Sequence, residues 1–533
     1  MGRMSMSRMR LSRMRLGLRL AAATLALAAV TAVYGVALAA TDPQTGANTL
    51  IDGTTDTVTN IDPAGNYNYG TDTVDREIFQ HLMTFQPQST VPSPELATGC
   101  TANANDTEWT CTLRQGVTFQ NGDKFTSADV KFSFDRVVGI HDPSGIWTLL
   151  SNLKSVTTEG PYSVTFHLKD PQSTWEYILT TIAGYIVDHR VYPADKILPD
   201  SRTQVGTGPY RLVKYQPGVD AVFKAWDGYR GPKPKTPNLI ITYFSKSSTM
   251  KLALERGEID MAFRDFTPTE YASLEKEKGI KVWTGPGVAI RYLVLDVTRP
   301  PADKLAVRQA LAYLMPRETI AERIYHGLVK SLYSMVPAGM PGHINAFATL
   351  YGRSPDPAKA KAALEKADIK WPVPITIWWT PTHYGAASAE EYTEIERALD
   401  ASGLFKVTLR SAEWGTYAKT LGTQYDAFQL GWFPDYPDAE DYLVPFYGTT
   451  SDFLSNGYSN PKMDAILAKE KAAKTTAARL TYIREAQTLA AEDVPIIPYW
   501  QGAMIAVSRP DVHGIQSTLG PSFIMRFWLL SKS

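Results

Sequence analysis

Four carboxylates fall within seven residues, DYPDAED, at Asp435, Asp438, Glu440 and Asp441. Two such groups could supply the acid and base of a glycosidase, or the segment could be a solvated loop that starts a helix. Five aromatic residues sit at expected strand ends: Trp378, Trp379, Trp414, Trp432 and Tyr436. Loops at strand ends are where α/β folds build binding sites, and a cluster of rings there suits a ligand groove as well as a core edge. The two cysteines, Cys100 and Cys111, enclose the polar stretch TANANDTEWT. In an exported chain that spacing favours a loop-closing disulfide over a metal pair, since no histidine is near and two ligands do not complete a zinc site.

Other chemistry is missing from the sequence. There is no HExxH, GxSxG, GxxxxGK[ST] or CxxC, and eight histidines are scattered without metal-ligand spacing. Neither a metal nor a cofactor is expected.

The elements that must carry these residues read as mixed α/β. Strands are expected at SVTFHL (Ser163), PYRLVKY (Pro209), NLIITYF (Asn238), IRYLVLDV (Ile290), ITIWW (Ile375) and FKVTLR (Phe405), all rich in β-branched or aromatic residues. Helices are expected from Thr126 and Ser388, each followed three residues later by Asp129 or Glu391 as a capping box, and from Asp356-Pro357 and Asn460-Pro461. In DKLAVRQALAYLM, Leu305, Ala306, Ala310 and Leu314 predict one buried helix face.

The chain has 533 residues, too many for one core, and about three lobes are expected. Hydrophobic residues at 44% and charged residues at 20% exclude a disordered chain and a multi-spanning membrane protein. Lys plus Arg and Asp plus Glu are both 54, but six arginines precede Ala40, so the rest carries a net charge of −6. That balance argues against nucleic acid or anionic lipid as partner. The arginines precede LAAATLALAAVTAVYGVALAA, the layout of an export signal cleaved after Ala39 or Ala40; an uncleaved anchor is the alternative. No cysteine near that point could carry a lipid.

Several segments, in order, resemble the extracytoplasmic solute-binding proteins of peptide- and nickel-type ABC importers. They are LRQGVTFQNGDKFTSADVKFSFDRV from Leu113, TGPYRLVKYQPG from Thr207, LERGEIDMAF from Leu254 and DKLAVRQALAY from Asp303. GWFPDYPDAEDYLVPF from Gly431 and NGYSNPKMDAIL from Asn456 complete the set. The resemblance implies a two-lobed type II periplasmic-binding-protein fold with an extra domain, mixed sheets and a hinge. With residues 1–40 set aside as the export signal, it further implies a discontinuous outer lobe of 41–85, 204–295 and 494–533. Residues 86–203 would form the extra domain and 296–493 the second lobe.

The same resemblance gives the expected site. Asp435, three residues after Trp432, matches the carboxylate that holds a peptide's amino terminus. IDPAGNYNYGTD places Tyr67, Asn68 and Tyr69 at the groove, with Trp378, Trp414 and Trp432 as pocket rings. Gln429 stands where some oligopeptide binders carry a carboxylate-binding Arg, so no fixed cation is located. Asp296 replaces the usual Asn, and Met315-Pro316 stands where the helix signature reaches an Asp. The implied function is a monomeric, non-enzymatic receptor outside the cytoplasmic membrane that delivers peptides to a permease and its ATPase subunits. The same fold binding an oligosaccharide, or a secreted hydrolase using the Asp435 cluster, are the alternatives.

Overall fold

The computed structural model describes residues 48–533 apart from 382, 386 and 452, so the expected export segment lies outside the described residues. Strand Thr49–Thr54, buried at every position, sits within a seven-stranded sheet. The order is Lys281–Gly285, Met504–Ser508, Met261–Phe263, Thr49–Thr54, Asn238–Tyr243, Asp220–Ala225 and Tyr210–Gln216. Alternation along the strands divides its side chains between two cores. Leu50, Met261, Phe263, Leu239 and Ile241 pack on one face. Ile51, Ala262 and Val507 pack on the other, where Met250 and Leu254 of helix Ser247–Arg256 join them.

A second sheet has six strands in the order Val329–Ser331, Ile496–Gly502, Ile290–Leu295, Ala427–Trp432, Val373–Trp379 and Phe405–Ser411. Ile290–Leu295 and Ala427–Trp432 are buried throughout, as strands covered on both faces must be. Leu293 and Leu295 face one core with Tyr392 and Ile395; Ile290, Tyr292 and Val294 face another with Phe446 and Ile483.

Ile290–Leu295 and Ile496–Gly502 fall on the far side of the boundaries expected from the resemblance. Both are inner strands of the six-stranded sheet, so the chain passes between the sheets at residues 286–289 and again at Ala503. Continuous hydrophobic runs show that these segments are strands but carry no mark of which sheet they join. At the crossing, a Cβ on Gly287 would lie 2.4 Å from the Gly502 carbonyl oxygen, so only glycine lets the two passing segments touch.

A third, four-stranded antiparallel sheet comprises Ala97–Ala102, Glu108–Leu113, Ser163–Leu168 and Leu153–Thr158, with helix Ser127–Ile140 against it. Its core runs on into that of the seven-stranded sheet. Cys100 and Cys111 face each other across the first hairpin and are joined by a disulfide.

Most caps form as expected. Thr126 and Asp129 close a capping box, and Asp356 and Asn460 accept backbone N–H bonds ahead of their prolines. Two local expectations fail. Helix Ser388–Ala401 has no side-chain cap, because Glu391 turns inward to buried hydroxyl and indole donors. In helix Leu305–Leu314, Val307, Ala310, Leu311 and Leu314 form the buried stripe, whereas Leu305 is 42% exposed. The helix starts at Leu305 itself, and its first turn projects beyond the core.

Candidate functional site

Strands Ala427–Trp432 and Val373–Trp379 run parallel, so the loops that follow them emerge at the same end of the six-stranded sheet. Facing them is the segment after Thr49–Thr54. Asp62 caps the turn Pro63–Gly65, the Asn66 side-chain NH2 donates to Asp75 at 2.9 Å, and the Asn66 side-chain Oδ1 accepts from the Asn68 backbone N–H at 2.7 Å. Asn68 then caps helix Tyr69–Ile78 by accepting from the Thr71 N–H at 3.0 Å. This chain of short-range bonds holds Tyr67 outward, 45% exposed.

The Tyr67 hydroxyl donates to both oxygens of Asp435, at 2.9 and 3.0 Å. Behind Asp435 lies the buried Asp441, which accepts from the Trp432 indole N–H at 2.8 Å and the Asp435 backbone N–H at 3.0 Å. Trp432 is otherwise wedged edge-on between Phe446 and Phe453, fixing the turn that presents Asp435. Among the described residues neither acid has a Lys, Arg or His ion-pair partner. Desolvation pushes the Asp435 carboxyl up to about 7, with the Tyr67 hydrogen bond pulling the other way. Burial and then the neighbouring Asp435 charge raise Asp441 well above the usual carboxylate range.

The other acids of the segment are committed. Asp438 accepts from the Glu440 N–H and pairs with Arg479. Glu440 accepts from the hydroxyl of Thr174 in the four-stranded module, beside a Tyr177–Tyr436 ring contact at 5.7 Å. Lys474 reaches Asp106 of the same module at 2.6 Å.

Rings line the seam beside Asp435. Phe433, 37% exposed, meets Phe523 at 5.8 Å and Tyr69 at 6.5 Å across the cleft. Arg264 lies 4.4 Å above the Tyr69 ring and is paired with Asp56. On the opposite side the buried Arg291 stacks on Tyr384, Trp500 and Phe433 at 4.2, 4.8 and 5.5 Å. His383 stacks flat on Trp414 at 3.7 Å, and desolvation together with the Arg291 charge holds its imidazole down at about 4, so it is neutral.

Three expected positions serve the scaffold. Gln429 is fully buried; it accepts from the Thr380 N–H at 3.2 Å and donates to Ser388 and Glu391. Trp378 packs on Tyr425 at 4.7 Å, and Asn68 is a helix cap. Asp441 as the partner of Trp432, and Arg291, Phe433, Tyr384 and His383 beside the cleft, are not marked by any motif in the sequence. A lone arginine inside an apolar strand was the available signal for Arg291.

Asp129, Asp188 and His189 bring ligand-type atoms together away from the cleft. Asp129 is spent on the helix cap and His189, and Arg190 pairs with both aspartates, so the group reads as an ion-pair network.

Two sheets joined by two crossings, with a polar and aromatic cleft between them, define a bilobal solute-binding protein. The chain belongs to the bacterial extracellular solute-binding proteins, family 5, whose middle-region model matches residues 91–453. It is 26% identical over 528 residues to di/tripeptide-binding protein 1 of Pseudomonas aeruginosa, covering 92% of this chain and 96% of the relative. The fold matches the periplasmic binding protein DppA from Helicobacter pylori in complex with peptide STSA, at TM-score 0.77 and 22% identity over 91% of this chain and 98% of that one. It also matches NikZ from Campylobacter jejuni in complex with Ni(L-His), at TM-score 0.76 and 21% identity over 91% and 100%.

Proposed function

We propose that this chain is the receptor of an ABC importer, capturing a short peptide between its lobes outside the cytoplasmic membrane and passing it to a permease without chemical turnover. The observation that carries this reading is the pair Asp435–Asp441, two acids with no basic partner among the described residues and only a neutral phenol in front of them. A peptide ammonium would supply the missing charge, and enclosure would strengthen the contact by excluding water. The names of the relatives, a di/tripeptide binder and a binder solved with a peptide, agree with that chemistry. In this reading Tyr69 and Phe433 are the ligand-facing rings, and the seven-stranded sheet and the six-stranded sheet are the two closing lobes. No helix among the described residues is long and apolar enough to cross a membrane.

Native mass spectrometry of protein purified from its own host tests the ligand class. A co-purified peptide supports the proposal; a co-purified oligosaccharide or metal chelate overturns it.

A further inference from the structure

Asp435 and Tyr436 are neighbours with different surroundings. Asp435 meets Tyr67 at the cleft, whereas Tyr436, 6% exposed, joins the hydrophobic core shared by the seven-stranded sheet and the four-stranded module. Its ring meets Tyr177 of that module at 5.7 Å, and Tyr177 in turn meets Phe85 at 6.1 Å. A ring of the second lobe is thus packed into the core of the first.

The loop that follows is seated in the same way. Residues 436–442 are buried at every position, although the stretch carries three acids, Asp438, Glu440 and Asp441. Buried acids are costly unless donors meet them. Trp432 meets Asp441 and Arg479 meets Asp438, both from within the second lobe. Glu440 is met from outside it, accepting from the hydroxyl of Thr174, which is 2% exposed in the four-stranded module. A relay fixes the direction of that bond. The Asn152 side-chain NH2 donates to Gln172 at 2.9 Å, and the Gln172 side-chain NH2 donates to Thr174 at 3.4 Å, which leaves the Thr174 proton for Glu440. At the rim Lys474 pairs with Asp106 at 2.6 Å, but the lysine side chain is 55% exposed, so this pair adds little.

We infer that Thr174 and Tyr177 form a seat for the loop that carries Asp435, so that the four-stranded module holds the lobes together and slows the release of a bound peptide. Parting the lobes there wets the Tyr436 ring and breaks the Thr174–Glu440 bond, which makes opening the costly step. Both are positioning residues, acting through Glu440 and Tyr436 rather than on the ligand. The effect on release rests on the peptide reading; the seat itself does not.

Hydrogen–deuterium exchange of the ligand-free protein reads the seat without a ligand. Thr174→Val keeps the shape and removes the donor. It is expected to speed exchange about 10-fold across 436–442, in the opposite lobe, while strand Val373–Trp379 is unchanged. Stopped-flow release of a mixed-sequence synthetic tripeptide pool reads the consequence. Dissociation is expected to be about 10-fold to 100-fold faster in Thr174→Val, with association unchanged because the open lobes make neither contact. Tyr177→Ala, which removes the ring against Tyr436, should act in the same direction in both measurements and carries them if Thr174→Val does not fold. Thr174→Ser keeps the hydroxyl and should match the wild type, and Lys474→Ala should stay within about twofold of it. Unchanged exchange at 436–442 in the folded variants overturns the seat. Unchanged dissociation, or slower association alone, overturns its role in holding the peptide. If the pool does not bind folded wild-type protein, the peptide reading falls, while the exchange measurement still decides whether the seat exists.

Discussion

Tyr67 and Asp435 stand 368 positions apart in the chain, yet a single phenol hydroxyl bridges both carboxylate oxygens of Asp435 across the interlobe cleft. The phenol meets the acid where the proposed ammonium would, but brings no charge. A neutral donor to a carboxylate is weaker than a cationic one, so the contact works as a placeholder that a ligand can displace.

Tyr67→Phe removes the placeholder. We expect the ligand-free protein to melt slightly lower, by no more than about 1 kcal/mol for a half-exposed hydrogen bond. Peptide affinity should rise a few-fold, because no contact is given up on binding. Thermal melts with calorimetry check this; a tenfold loss of affinity would instead make Tyr67 a direct ligand anchor.

The pH dependence follows from Asp435, whose carboxyl is pushed up to about 7 by burial against an ordinary value near 4. Between those values it holds more proton in the folded than in the unfolded chain. Its contribution to stability is therefore greatest below about pH 4 and is lost as pH rises through 7. A bound ammonium favours the ionised acid, so peptide binding should release a proton below pH 7, and affinity should rise with pH up to that point. Calorimetry in buffers of different ionisation enthalpy measures the release, which should shrink sharply in Asp435→Asn.

The Cys100–Cys111 disulfide ties one hairpin of the four-stranded module. Closing a ten-residue loop stabilises by about 2 to 3 kcal/mol. Reduction should lower the melting temperature while leaving peptide affinity unchanged, since the contacts at Asp435 come from the other two sheets. Two maleimide-reactive thiols in unreduced exported protein would contradict the pairing.

What could be read from the sequence was local. The strand runs at Ser163, Asn238, Ile290 and Phe405 form strands because β-branched and aromatic density decides that question within a few residues. Asp435 and Tyr67 could be named from the motifs around them, but their contact could not, since nothing local joins residues so far apart. Glu391 looked like a capping residue by spacing, yet three buried donors from Tyr325, Tyr499 and Trp500 outcompete a helix end for its carboxylate. Arg291 is hidden inside IRYLVLDV because its contacts with Gly431 and the Tyr384 ring join residues far apart in the chain. Likewise the sheet membership of Ile290–Leu295 and Ile496–Gly502 depends on long-range pairing that hydrophobic pattern does not encode.

The central claim, that Asp435 receives a peptide's amino terminus, is tested most directly by a four-way calorimetric cycle. It uses wild type and Asp435→Asn against the co-purified peptide, resynthesised in free and N-acetylated form. On the wild-type protein acetylation should cost about 2 to 4 kcal/mol, or roughly 30-fold to 1,000-fold in affinity. The Asp435→Asn substitution should cost about the same for the free peptide, because each change removes one half of a single charge-assisted contact. Combining the two changes should cost no more than either alone; additive losses would contradict the claim and make Asp435 a structural acid.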